Sequence, residues 1–112
     1  MPEERNFDHE LLKLAAKGGR LEIEPCTCRD PKWPFRLKGH SGVRAHWNPL
    51  INDGDALKLA VEIRLNIEIN AGGVDVYCGD LEDGLHEPVN GDLRECTRRA
   101  IVRAAAQVGE LL

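Results

Sequence analysis

Cys26-Thr27-Cys28 sets two thiols one residue apart, and His40 and His46 follow within the next hairpin. Thiolate and neutral imidazole are the usual ligands of zinc. Structural zinc sites, however, normally space paired cysteines two to four residues apart, and no second matched pair follows here. With Cys78 and Cys96 these residues are read as free thiols, with no metal and no cofactor assigned. Whether Cys26, Cys28, His40 and His46 meet in space is left open by spacing alone. Asn52-Asp53-Gly54-Asp55 is the other dense group of donors. If Asp53 opened a calcium loop, Asp55 would suit the third position. The fifth would then be Leu57, the glycine position Lys58 and the closing glutamate Arg64, so the calcium pattern breaks.

Catalytic patterns are sparser. Ser41 is the single serine and lies in Gly39-His40-Ser41-Gly42, a hairpin turn rather than the strand-turn-helix that exposes a nucleophile. His9 and Glu10 lack the second histidine of a metalloprotease helix, and His86 sits in a polar, exposed setting. No phosphate-cradling glycine loop occurs. A Cys-His pair assembled in space stays possible, but the expectation is a protein that is not an enzyme.

Positioning these residues requires a core. The chain has 112 residues, 42% apolar and 30% charged, which predicts one folded domain over 1–112. Phe7 through Leu12 predicts a helix start, with Asp8 as cap and Phe7 stapled onto Leu12, running to Gly18-Gly19. Leu21–Glu24 alternates as a strand, Pro25–Pro34 reads as a loop, and Phe35–Lys38 with Val43–Trp47 forms a hairpin. Asn52 or Asp53 caps the next helix, with Asp55 in its first turn and Leu57, Leu59, Ala60 and Ile63 as its apolar stripe. Leu65–Asn70 and Val74–Cys78 make a second hairpin around Ala71-Gly72-Gly73, and Gly79–Gly91 reads as a polar loop. Asp92 caps a last helix carrying Leu93, Thr97, Ala100, Ile101, Ala104, Ala105, Val108 and Leu111 on one side. The order α-β-β-β-α-β-β-α, with hairpins, predicts an α+β fold with a mainly antiparallel sheet.

Trp47-Asn48-Pro49-Leu50, the Asp53–Val61 run and the Thr97–Ala106 helix resemble the phage ABA-sandwich domain, a family of small bacteriophage and prophage proteins of unknown function. The resemblance covers most of the chain after Gly18 but not the Pro25–Trp33 loop. It implies helix-sheet-helix layering and a phage origin, with Trp47, Asn48, Pro49, Asp53 and Asp55 as structural markers. It implies no chemistry.

The residues add a constraint of their own. Each strand alternates, so one face carries Leu21, Ile23, Phe35, Leu37, Val43, Ala45, Leu65, Ile67, Ile69, Val74 and Val76. The other carries Glu22, Glu24, Arg36, Lys38, Arg44, His46, Asn66, Glu68, Asn70, Asp75 and Tyr77. Such one-sided strands predict a two-layer core with a polar face at most partly covered. Charge is uneven: Arg29, Lys32, Arg36, Lys38 and Arg44 face only Asp30 between residues 29 and 46, whereas residues 65–93 hold no Lys or Arg. Arg94, Arg98, Arg99 and Arg103 on the last helix read as a solvated face.

These features point to a non-catalytic binding module, acting through a protein partner or self-association. The alternative is a nucleic-acid-binding protein using Arg36, Lys38, Arg44 and Trp33. The acidic start MPEERNFDHE lacks the pattern of a secretion signal, and no apolar run reaches the ~20 residues of a membrane span. The expected location is the cytoplasm of the bacterial host.

Overall fold

The computed structural model describes residues 2–40, 45–79 and 81–112; for residues 2–7, 82 and 83 only the backbone is described. Helix α1 spans Pro2–Gly18, followed by strands β1 (Ile23–Pro25), β2 (Phe35–Leu37) and β3 (His46–Trp47). Helix α2 spans Asp53–Glu62, then come β4 (Asn66–Asn70), β5 (Gly73–Cys78) and β6 (Leu81–Pro88), and α3 runs Leu93–Leu111. The fold is α+β, with two three-stranded antiparallel sheets, sheet A in the order β1-β2-β3 and sheet B in the order β4-β5-β6.

Two sequence expectations are corrected. The helix does not begin at Asp8, which lies inside α1; Pro2 at the start of the helix and Glu3 and Glu4 in its first turn are themselves suited to a helix N-terminus. The Phe7 side chain lies outside the described residues. The segment read as a polar loop contains strand β6, which makes the order α-β-β-β-α-β-β-β-α. Leu81 pairs with Cys78 and Leu85 with Val76, so four residues of β6 span what two span on β5 and the pairing register shifts between them. Gly84, at a φ of 69°, sits within that irregular stretch. Leu81 and Leu85 stand four residues apart with the polar Asp83 at the alternate position between them, so the segment lacks the apolar alternation of a half-buried strand.

Helix α3 is the common support. Cys96, Ala100, Ala104 and Val108 pack on Val74, Val76, Cys78 and Leu81 of sheet B. Ile101, Val102, Ala105 and Ala106 pack with Leu12, Ala15 and Ala16 of α1, Leu59 and Ala60 of α2, and Phe35 and Trp47 of sheet A. Two faces of one helix thus serve two cores, which is why its alanines are buried over so wide an arc. The approach of α1 to α3 depends on glycine: a methyl group at Gly18 would overlap the Ala105 carbonyl, and one at Gly109 would overlap that of Leu14. Ile69 and Leu57, both expected inside, are instead 56% and 61% exposed.

Candidate functional site

The Trp47–Asp55 segment folds into a closed hydrogen-bonded corner. Trp47 ends β3 fully buried, and its indole Nε1–H has no hydrogen-bond partner among the described residues. The backbone N–H of Asn48 donates to Asp55 Oδ2 (3.0 Å), and Asn48 Nδ2 donates to the Lys32 carbonyl (2.8 Å). Asn48 Oδ1 accepts from the Leu50 N–H at 3.0 Å. Asn52 is the cap of α2, its Oδ1 accepting from the Asp55 N–H at 2.8 Å. Burial pushes the Asp55 carboxyl above its ordinary pKa, against the opposing effect of the Asn48 N–H. Asp53 turns the other way. Its carboxylate accepts from Arg98 Nη1 (2.7 Å), while Arg98 Nε donates to the Leu50 carbonyl (2.8 Å). Arg98 therefore fastens α3 to the corner rather than joining a solvated face. Arg103 likewise pairs with Glu87 of β6. No periodicity in α3 marks these two arginines, because their partners are 45 and 16 residues away in sequence.

A second constellation lies on the outer face of sheet A. The register places Glu24 opposite Arg36 and Arg36 opposite His46, and Cys26 follows directly after β1. The Cys26 N–H donates to the Pro34 carbonyl (3.0 Å), which extends the β1–β2 ladder by one bond and closes the intervening loop. Within that loop Arg29 adopts a φ of 65°, turning the chain back on itself. The loop is then pinned by Trp33 N–H to the Asp30 carbonyl (2.9 Å) and Lys32 N–H to Asp30 Oδ1 (3.0 Å). Cys28 returns to within 3.1 Å of Cys26, Sγ to Sγ, and His46 completes a group whose ligand atoms all lie within 4.8 Å of one another. The hydrogen bond with Cys26 is the main cause of the Cys28 pKa lying above its ordinary value. The Trp33 indole stacks on the His46 ring, centroids 5.1 Å apart and planes inclined at 20°. All four cysteines are thiols.

Of the residues proposed to contact nucleic acid, Arg36 is half-buried and ion-paired with Glu24 (3.5 Å), and it also donates to the His40 carbonyl. Trp33 is half-buried under its stacking contact, and Lys38 is exposed. Arg44 lies outside the described residues. His40 shares a cleft of about 650 Å³ with Trp33, His46 and Asp55 but does not join the thiol cluster.

A third feature was not anticipated. Ala56 and Leu57 of α2, Ile67 and Ile69 of β4, and Leu93 and Ile101 of α3 line an open groove of about 420 Å³ whose walls are almost wholly apolar. Val61, one turn beyond Leu57, is 68% exposed. The sequence did carry a signal: Leu57 and Val61 stand four apart, on a different stripe of α2 from Ala56, Leu59 and Ala60. No helix among the described residues is long and apolar enough to cross a membrane. No family model, curated protein or solved structure matches the chain.

Proposed function

We propose that the protein is a non-catalytic binding module that associates with a second copy of itself through the free edge of β4 and the groove beside it. The observation that carries this reading is the contrast between the two edges of sheet B. Natural edge strands are usually guarded by lysine, proline or a bulge. Strand β6 has Pro88, a left-handed Gly84 and a shifted register. Strand β4, Asn66-Ile67-Glu68-Ile69-Asn70, has no lysine, proline or bulge, its one charge Glu68 accepts from Tyr77, and the exposed Leu57 and Ile69 line the groove beside it.

A two-fold antiparallel pairing of β4 with its own copy would extend sheet B to six strands and bring both sets of exposed apolar side chains together. A symmetric interface needs only one surface that complements itself. Contiguous exposed apolar surface of this kind is typical of association sites. The protein-binding reading is favoured over nucleic acid because Arg36 is committed to Glu24 and Trp33 to His46. The resemblance to the phage ABA-sandwich family supports assigning this role to a bacteriophage or prophage accessory protein working in the host cytoplasm.

Sedimentation equilibrium tests the proposal. The wild-type chain is expected to dimerise as concentration rises, and Ile69→Lys or Leu57→Lys should leave it folded but monomeric. A monomer at every concentration, or a dimer indifferent to both substitutions, would overturn it.

A further inference from the structure

The loop between β1 and β2 brings together ligands that the spacing of the cysteines, taken alone, disfavours. We infer that Cys26, Cys28 and His46 form a binding site for one thiophilic divalent cation, zinc by its ligand chemistry, with a fourth coordination position open to solvent.

The objection from sequence was that Cys-x-Cys is shorter than the usual zinc spacing. That objection assumes both cysteines lie on an ordinary turn or strand. In an extended chain, side chains two residues apart point the same way but stand roughly 6–7 Å apart at their origins. Here the chain bends at Thr27-Cys28, and the two sulfurs approach to 3.1 Å. The third ligand then comes from β3 rather than from the loop. His46 reaches the pair because the β1-β2-β3 register aligns it with Arg36 and Glu24, and Cys26 leaves β1 directly after Pro25.

The dimensions suit a tetrahedral ion. Zinc bonds of about 2.3 Å to sulfur and about 2.0 Å to nitrogen place neighbouring ligand atoms roughly 3.5–3.8 Å apart. The three ligand atoms lie within 4.8 Å of one another. From 3.1 Å the sulfurs must open by roughly 0.7 Å, and the imidazole must close by up to roughly 1.3 Å, both within side-chain rotation. Two thiolates and a neutral imidazole balance the charge of the ion, and binding releases the two thiol protons.

The surroundings already restrict two of the three ligands. His46 is held flat by the Trp33 indole, and Cys26 is fixed at its backbone by the Pro34 carbonyl. Asn48 Nδ2, bound to the Lys32 carbonyl, ties the loop to the corner that follows His46. Cys28 itself is exposed, so the fourth position faces water. Trp33 acts here as a positioning residue, since it touches a ligand and not the ion.

Cobalt titration of the fully reduced protein is the test, with zinc as competitor. The expected result is thiolate-to-cobalt charge-transfer absorption that saturates at one equivalent and is removed by zinc. Cys28→Ser and His46→Asn should each weaken binding by more than the roughly 10–100-fold typical of losing an outer-shell partner, and Trp33→Ala should fall inside that range. Because Cys28 is exposed, Cys28→Ser tests the ligand without disturbing the core. Absence of the charge-transfer band would overturn the proposal, as would binding unaffected by His46→Asn. A chain that takes up no metal but closes a Cys26–Cys28 disulfide on mild oxidation would also overturn it.

Discussion

Sheets A and B carry the same alternation of polar and apolar residues and present different outer surfaces. In sheet A the strands are three, three and two residues long, and the outer face is folded inward. Arg36 lies against Glu24, and Trp33 covers His46. In sheet B the strands are five, six and eight residues long, and the outer face is open. There Tyr77 donates to Glu68 (3.2 Å), Asn70 donates to Asp75 (3.0 Å), and His86 Nδ1 lies 2.7 Å from Asp75. The difference comes from the connections. The loop from Cys26 to Pro34 is long enough to return over sheet A, whereas the Ala71-Gly72 turn between β4 and β5 is not. A polar strand face becomes a candidate site only where other chain closes over it and limits the freedom of its side chains.

The largest test of this contrast lies in the cores beneath the two sheets. Trp47→Ala should cost about 3–5 kcal/mol in denaturant unfolding, against about 2 kcal/mol for Val76→Ala under sheet B. Trp47→Phe should lose less than Trp47→Ala, because both remove the unpaired indole N–H but the retained aromatic ring leaves a smaller cavity. Equal losses for Trp47→Ala and Val76→Ala would mean that the two sheets are anchored alike.

Next comes Asp55, which locks the corner after sheet A. Asp55→Ala leaves the buried Asn48 N–H without an acceptor and should cost about 1–3 kcal/mol, whereas Asp55→Asn keeps an acceptor and should cost less. The folded-state pKa of Asp55 is raised by burial. Its contribution to stability is therefore complete below the ordinary carboxylate pKa and is lost as pH rises through the raised value. Comparing wild type with Asp55→Asn across that window should isolate this slope.

Sheet B should show the opposite sign. The hydrogen bond from His86, followed by that from Asn70, lowers the Asp75 pKa. The stability this confers is present above the ordinary carboxylate value and is lost as pH falls through the lowered one. In Asp75→Asn the acid limb of the stability curve should flatten. An unchanged limb would show that the open face contributes nothing even at its best-connected residue.

The smallest effect is expected at Tyr77, where removal of the exposed phenol in Tyr77→Phe should leave the unfolding midpoint unchanged. Its hydrogen bond to Glu68 raises the phenol pKa, so in Glu68→Gln the ultraviolet titration of Tyr77 should move back toward the ordinary value.

Much of the scaffold was legible in local patterns. The caps Asn52 and Asp92 both hold hydrogen bonds to their helices. The Ala71-Gly72 turn and the β4–β5 pairing follow the alternation read from the chain. These features depend on neighbours within a few residues, where backbone geometry leaves little choice. Strand β6 was not legible, because Asp83 and Glu87 interrupt the apolar alternation by which a strand is read. On α2 the second stripe of Leu57 and Val61 was legible but its exposure was not, and nor was that of Ile69, since hydropathy alone does not say which apolar stripe meets the core.

The sequence by itself determined the α+β class, the capped corner and the failure of the calcium pattern, all of which rest on short-range spacing. Tertiary structure alone decided that Arg98 and Arg103 clamp α3 to other elements and that β4 has the unguarded edge. It also decided that Cys26 and Cys28 meet His46, which stands 18 positions beyond Cys28 in the chain. Contacts of that kind are set by sheet register and by where a loop returns, and neither can be read from the residues that eventually touch.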